Sequence, residues 1–386
     1  MKDNFCTIYK LVFNRMQQFF IKNGQTMVYD PVDADIVIAG LCAAFDADEE
    51  RSLKIISDVA KTKKPMYVYG CLCKVSPEKI KHGKIFYSWN QKDLVESIVK
   101  EPKVSWDSVI LPTQFRTKED YRVCNPKKQF VGISTGCSFT CSYCPHKIGS
   151  GEIVSRPQDE ILMQIKSLIE GGVGTIVLTG TDTACYGIDI GINFPLLLEN
   201  VLKISDNTLR YHIAQFNPEG LSFNFQKLIS CCSDERVTDM QLPVQTSSER
   251  LLKIMHRSYP LDCVQEFIES VRKENRNIMF RTDLLAGFPT EAEDELEQSI
   301  DFVIRNFDEI AVYGYEYKKN TPIAAYGLPF FGEDEINRRA NYTIERISTA
   351  GKIVHSGGQN ILTLFKADEK KELLRLKNME DRDYEK

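Results

Sequence analysis

Three cysteines set the chemistry to look for. In GCSFTCSYCPHKIGSG, from Gly136 to Gly151, Cys137, Cys141 and Cys144 keep a C-x3-C-x2-C spacing, with Tyr143 just before the last of them. Three thiolates on one short loop supply three of the four sites of a cubic iron-sulfur cluster and leave one iron open to a small molecule. The competing reading is a zinc site with His146 as fourth ligand. Only one residue separates His146 from Cys144, a shorter spacer than zinc pairs use, so the cluster is the better reading.

The other cysteines are read by position. The chain holds twelve, it lacks an apolar run of the ~20 residues a membrane span needs, and its start, MKDNFCTIYK, has no secretory signal core. A cytoplasmic protein with no membrane association is expected, and there cysteines serve as ligands, catalytic groups or buried thiols rather than disulfides. Cys42 and Cys71 each follow a short apolar run, and Cys6 precedes the first helical pattern. The three can converge and hold a second cluster. They read equally well as small buried hydrophobes.

The elements that must position these residues alternate. Apolar residues recur at helical spacing from Leu11 to Gly24, and Ala34 to Ala39 reads as a strand. Arg51 to Ala60 is helical, Met66 to Tyr69 and Lys84 to Tyr87 are strands, and Gln91 to Val99 is helical. This predicts an α/β chain opening with a small Rossmann-like parallel sheet over residues 1–105. Residues 106–127 are polar, carry Pro112 and lack periodicity, which reads as a linker. About six strand-helix units follow over 128–330 and predict a partial (β/α)6 barrel, whose site lies at the carboxyl ends of its strands. The cysteine loop follows the first of those strands. Residues 331–386 are expected to form a helical extension with a charged tail. Apolar content of 42% with 27% charged residues is that of a globular protein, and the net charge of −5 gives no overall attraction to phosphate backbones.

Several stretches, taken together, resemble the radical SAM methylthiotransferase family. They are the cysteine loop, Ser155-Arg156-Pro157, TGTDTACYGID from Thr179, QLPVQTSSERLLKIMHRSY from Gln241, DLLAGFPTEAEDELE from Asp283 and YEYKKNTPIAAY from Tyr315. The resemblance implies a methylthiotransferase N-terminal domain over 1–105 and a radical SAM barrel over 128–330. It implies two 4Fe-4S clusters, one on Cys137, Cys141 and Cys144 and an auxiliary one on Cys6, Cys42 and Cys71. S-adenosyl-L-methionine is implied as both methyl donor and source of a 5′-deoxyadenosyl radical. By the same resemblance Tyr143 lies against the adenine, and Arg156, Gln245 and Asp283 contact cofactor or substrate. A flavodoxin or ferredoxin is the implied electron donor.

The chain departs from the family pattern at Phe5, at Gly40-Leu41 and at Thr246-Ser247. About 30 residues follow Gly357, without the alternation that the strands of the family's C-terminal TRAM barrel require. On that ground, and on the acidic balance, a peptide or protein substrate is expected, including a ribosomally made natural-product precursor. The alternative is an adenosine of tRNA, and a further one is a non-catalytic iron-sulfur carrier or regulator.

Overall fold

The computed structural model describes residues 2–3, 6–28, 30–114 and 127–356. Cys124 and the tail beyond 356, with the expectation that it carries no barrel, lie outside the described residues.

Two parallel sheets organise the chain. The first joins β1 (Lys2–Asp3), β2 (Val37–Leu41), β3 (Met66–Gly70) and β4 (Lys84–Phe86) in sequence order. The helices are α1 (Thr7–Lys22), α2 (Asp46–Ala60), the short α3 (Leu72–Val75) and α4 (Gln91–Ile98). β2 and β3 are near-continuous apolar runs because both faces of the sheet are covered. Ile38, Tyr69 and Phe86 pack with α1 and α4, while Val37, Ala39, Leu41 and Val68 pack with α2. α2 starts five residues earlier than its apolar period suggests. Asp46, Asp48 and Glu49 form its first turn, where carboxylates suit the helix dipole.

The stretch expected to be linker begins as core. Trp106, Val109 and Leu111 are buried beside α1, and the Arg15 guanidinium lies 4.3 Å over the Trp106 ring while its Nε donates to the Val109 carbonyl at 2.6 Å. Three apolar residues spread among polar ones leave no periodic trace.

The second sheet carries the barrel. Its strands are β5 (Lys128–Gly132), β8 (Thr175–Thr179), β9 (Arg210–Ile213), β10 (Val237–Gln241), β11 (Met279–Ala286), β12 (Glu309–Gly314) and β13 (Ile353–Ser356). All are parallel, and each pairs with its neighbour in that order. After β5 come the small pair β6 (Ser134–Thr135) and β7 (Val154–Ser155), with α5 (Pro145–Ser150) between them. The outer helices are α6 (Gln158–Glu170), α7 (Phe194–Ile204), α8 (Phe225–Cys232), α9 (Glu249–Ile254), α10 (Leu261–Glu274), α11 (Glu293–Asn306) and α12 (Glu333–Thr349). The six strands before residue 330 make the expected partial barrel.

The expectation of a purely helical extension from 331 is corrected. α12 covers the sheet through Ile347, and β13 pairs with β12 as a seventh strand, burying Val354 in the barrel core. Ile-Val-His-Ser is too short and too mixed to read as a strand by pattern. Arg339 fixes α12, bonding to Glu291, Glu293 and Glu335. Among the described residues no helix is long and apolar enough to cross a membrane.

Candidate active site

The cysteine loop leaves the carboxyl end of β5 and is pinned on every side. Gly136 has φ +76°, and a Cβ there would lie 1.8 Å from the Glu152 carbonyl oxygen, so only glycine lets the loop fold back on β7. Cys137 N donates to the Gly151 carbonyl at 3.1 Å, and Lys147 Nζ donates to the Cys137 carbonyl at 2.5 Å. Ser142 reaches across to the end of α9: its N donates to the Met255 carbonyl at 2.9 Å and its Oγ to that of Ile254 at 2.7 Å. Cys137, Cys141 and Cys144 are left half-buried, lining a cavity of about 470 Å³.

The second triad meets the first at this cavity. Cys6 caps α1 at its N-terminus, Cys42 follows β2 and Cys71 follows β3. Cys6 and Cys42 line the cavity. Cys71 sits just behind, so close to α5 that a Cβ on Gly149 would lie 2.6 Å from the Cys71 Cβ. Ser88 Oγ donates to the Gly149 carbonyl, which clamps α5 to the first domain. Burial pushes the Cys71 thiol up, and Cys42, Cys6, Cys73 and Cys144 add to the effect, so the two triads share one electrostatic neighbourhood.

Neither triad is gathered around the position of a single ion among the described residues. Thiolates on one zinc stand within about 4 Å of each other, given zinc-sulfur bonds of ~2.3 Å. Among the described residues only Cys137, Asp182 and Cys185 bring ligand atoms all within 4.8 Å of one another, and neither triad is drawn together in this way. A cube does not require such close approach, since each thiolate sits on its own iron. Burial holds Cys42 and Cys141 up to about 12. A cluster held here would take these sulfurs as thiolates, so its binding would release protons. For Cys144 burial is the largest influence and acts upward too, but the hydrogen bond and charge of His146, with backbone hydrogen bonds from Lys147 and His146, together outweigh it and the thiol falls below its usual range.

Around the triads lie polar groups with unused capacity. Arg257 is 7% exposed and has no carboxylate within 4.0 Å among the described residues. It donates to the Tyr143 hydroxyl at 3.1 Å, Asn217 Oδ1 at 2.9 Å and the Pro243 carbonyl at 2.7 Å, and its Nε finds no acceptor. Asp182 is pushed up to about 6 by burial, with one oxygen accepting from Ala184 N at 2.8 Å. Across the cavity Asp283, also raised to about 6 by burial, accepts from Gln241 Nε2 at 3.1 Å. Gln241 Oε1 in turn accepts from Gln215 N at 3.1 Å. Gln215 and Gln245 hold left-handed φ of 55° and 68°, the kind of backbone strain that collects where side chains must aim at a ligand.

The cavity wall also joins the two domains. Phe45, just before α2, stacks on Tyr313 of β12 with centroids 5.5 Å apart and planes 3° from parallel. Lys318 is 6% exposed and bonds to Asp46, with Glu316 and Glu49 at 3.7 and 3.9 Å.

Tyr143, Gln245 and Asp283 line the cavity. Arg156, expected to contact cofactor or substrate, is not among the residues that line the cavity. Its guanidinium donates to the Gly132 carbonyl at 2.6 Å and to Gln164 of α6 at 2.9 Å, so it ties strand to helix. Tyr143 presents its hydroxyl to Arg257 and its ring edge-on to Phe288. Sequence reasoning missed Arg257, Asp182, Asn217, Gln215 and Gln241. Asp182, Gln241 and Arg257 stand inside quoted motifs and were findable there, whereas Gln215 has no sequence signal.

Comparison with known proteins places this geometry. The model of the Radical SAM superfamily matches residues 131–303, and that of Uncharacterized protein family UPF0004 matches residues 6–87. A probable threonylcarbamoyladenosine tRNA methylthiotransferase of Methanocaldococcus jannaschii is 29% identical over 327 residues, covering 81% of this chain and 74% of that protein. A ribosomal protein uS12 methylthiotransferase of Alkaliphilus oremlandii is 27% identical over 334 residues, covering 83% and 74%. Among solved structures, a radical S-adenosylmethionine methyltransferase of Kitasatospora setae with cobalamin and a [4Fe-4S] cluster bound superposes with TM-score 0.60 at 11% identity. It covers 84% of this chain and 76% of that one, a likeness of fold alone.

Proposed function

The chain belongs to the radical SAM methylthiotransferase family, and from that premise we propose that it transfers a methylthio group to an adenosine of tRNA. Its cofactors are S-adenosylmethionine and two 4Fe-4S clusters. When bound, they supply single electrons, sulfur, a methyl group and the radical that removes hydrogen from an unactivated C-H bond. What supports the chemistry is that Cys6, Cys42, Cys137, Cys141 and Cys144 line one cavity with Cys71 close behind it, and the tRNA substrate is supported by the names of the relatives.

Residue roles follow from the environments described. Cys137, Cys141 and Cys144 hold the radical-generating cluster, and Cys6, Cys42 and Cys71 the auxiliary one. Arg257 is a buried cation in want of an anion, so it takes the carboxylate of S-adenosylmethionine, with Asn217 fixing its fork. Asp182 has no cation within 4.0 Å among the described residues and takes the ammonium group. Gln241, Gln245 and Asp283 orient the nucleoside, an amide side chain being suited to the edge of adenine. Phe45 and Tyr313 keep water from that side of the cavity. A flavodoxin or ferredoxin serves as electron donor.

The names of the relatives support tRNA over the expected natural-product peptide. Relatives from Methanocaldococcus jannaschii, Pyrococcus abyssi and Hydrogenobaculum are each named for tRNA modification, and those from Alkaliphilus oremlandii and Fervidobacterium nodosum for a ribosomal protein. A protein substrate is the second reading, favoured by the comparable identity to uS12 methylthiotransferases. The test is anaerobic incubation of the reconstituted protein with reductant, S-adenosylmethionine and bulk tRNA lacking methylthio groups, followed by mass spectrometry of the nucleosides. A methylthiolated adenosine is expected. If 5′-deoxyadenosine forms while uS12 and not tRNA gains mass, the protein reading replaces this one.

A further inference from the structure

Across the carboxyl end of β12 the chain reads Tyr313-Gly314-Tyr315-Glu316-Tyr317, and its odd residues carry aromatic rings from the cavity out to solvent. Tyr313 and Tyr315 line the cavity. Tyr317 is 47% exposed and Phe330 39% exposed. The Phe330 ring stacks on Tyr315 at 6.1 Å and 16°, and Tyr317 meets Phe330 at 4.8 Å and 77°. Next along the chain, Phe331 is covered by the Arg339 guanidinium at 4.6 Å, so the exposure of Phe330 is particular to it.

The rings are anchored inward. Tyr315 contacts Phe288 edge-to-face at 5.4 Å, and Phe288 contacts Tyr143 of the cysteine loop at 6.0 Å. Tyr315 is 4% exposed, and its hydroxyl is buried without a hydrogen-bond partner. Anything lying on Tyr317 and Phe330 is therefore held in register with the cysteine loop. Lys319, exposed and with no carboxylate within 4.0 Å among the described residues, adds a cation two residues beyond Tyr317.

We propose that Tyr317 and Phe330, whose rings stand 77° apart, form a ledge at the cavity mouth on which an unpaired RNA base stacks against one ring with its edge on the other, next to the modified adenosine, with Lys319 supplying a cation for the backbone phosphate. The proposal rests on the tRNA reading. Flat rings beside a cation fit a nucleotide because every base offers a π-face and every linkage a phosphate. Stacking is indifferent to sequence, so the ledge holds the strand while the cavity selects the residue.

The test uses the full-length, cluster-loaded protein and an RNA hairpin whose loop carries 2-aminopurine beside an adenosine. Wild type should bind and quench the 2-aminopurine. Tyr317→Ala with Phe330→Ala should weaken binding about tenfold and abolish the quench, while Tyr317→Phe retains both. The salt dependence of binding should keep its slope in the double alanine variant and flatten in Lys319→Ala. An unchanged melting temperature shows that the double variant is folded. If it binds and quenches like wild type, the ledge is refuted and the tRNA reading stands. If wild type binds no hairpin or tRNA even at low salt, the tRNA reading fails and the ledge with it.

Discussion

Gly149→Ala should separate S-adenosylmethionine cleavage from methylthio transfer. A Cβ at 149 would stand 2.6 Å from the Cys71 Cβ and 3.0 Å from its Cα and Sγ. Carbon contacts settle near 3.5–4.0 Å, so the pair must open by about 1 Å. Overpacking of that kind costs about 1–3 kcal/mol, and replacing glycine in a helix returns up to about 1 kcal/mol, so destabilisation wins. The melting temperature should fall by a few degrees. The larger effect is positional: α5 carries the cysteine loop and Cys71 belongs to the other triad, and a 1 Å misplacement at a reacting centre costs about 10²-fold. The assay measures, anaerobically, methylthiolated product per 5′-deoxyadenosine released. That ratio should drop about 100-fold, while Gly332→Ala, where a Cβ meets no atom within 4 Å, leaves it unchanged. A Gly149→Ala protein with wild-type coupling and melting temperature would refute the idea that this contact sets the relation between the two cluster sites.

Other outcomes follow from the same geometry. Arg257→Met should weaken S-adenosylmethionine binding about ten- to a hundredfold, the worth of a hydrogen bond to a charged group, with partial rescue by Arg257→Lys; equilibrium dialysis of the reconstituted protein decides this. Replacing Cys6, Cys42 and Cys71 by alanine should halve the iron per chain and leave a cluster absorbance from the other triad; complete loss, or no loss, counts against two separate sites. Burial raises Asp283 to about 6, above the ~3.9 of an unfolded carboxyl, so the folded chain binds more protons in between. Its contribution to stability is thus full below about pH 4 and is lost as pH rises through about 6. Asp283→Asn should flatten that decline in urea titrations across this range, and an unchanged slope would contradict the assignment.

What the sequence made legible was local. The C-x3-C-x2-C spacing is complete within one loop, and Cys42 and Cys71 stand directly after the apolar runs of β2 and β3, so their convergence follows from parallel strands. What it hid depends on distant partners. Gly149 reads as an ordinary glycine until Cys71 is seen against it, and Gln215 reveals itself only by a left-handed backbone. Trp106 and Val109 gain meaning from Arg15, some ninety residues away. Arg156 stands in a conspicuous motif, yet its bond to the Gly132 carbonyl, which ties strand to helix, is invisible in the sequence. β13 offers four residues to a pattern that needs more, and only the free edge of β12 makes it a strand.

The buried ammonium of Lys318 bears on heat. Its neighbours Asp46 and Glu49 belong to one domain and Glu316 to the other, so a charge group in which Lys318 and Glu49 are buried and Asp46 is exposed lies on the seam between the halves of the cavity. The penalty for withdrawing charges from water shrinks as temperature rises, whereas apolar burial gains little more. This seam therefore holds better on warming than the Phe45–Tyr313 stack beside it. On warming, the Phe45–Tyr313 stack should therefore loosen before the Lys318 charge group, which becomes the last tie across the seam between the two cysteine triads.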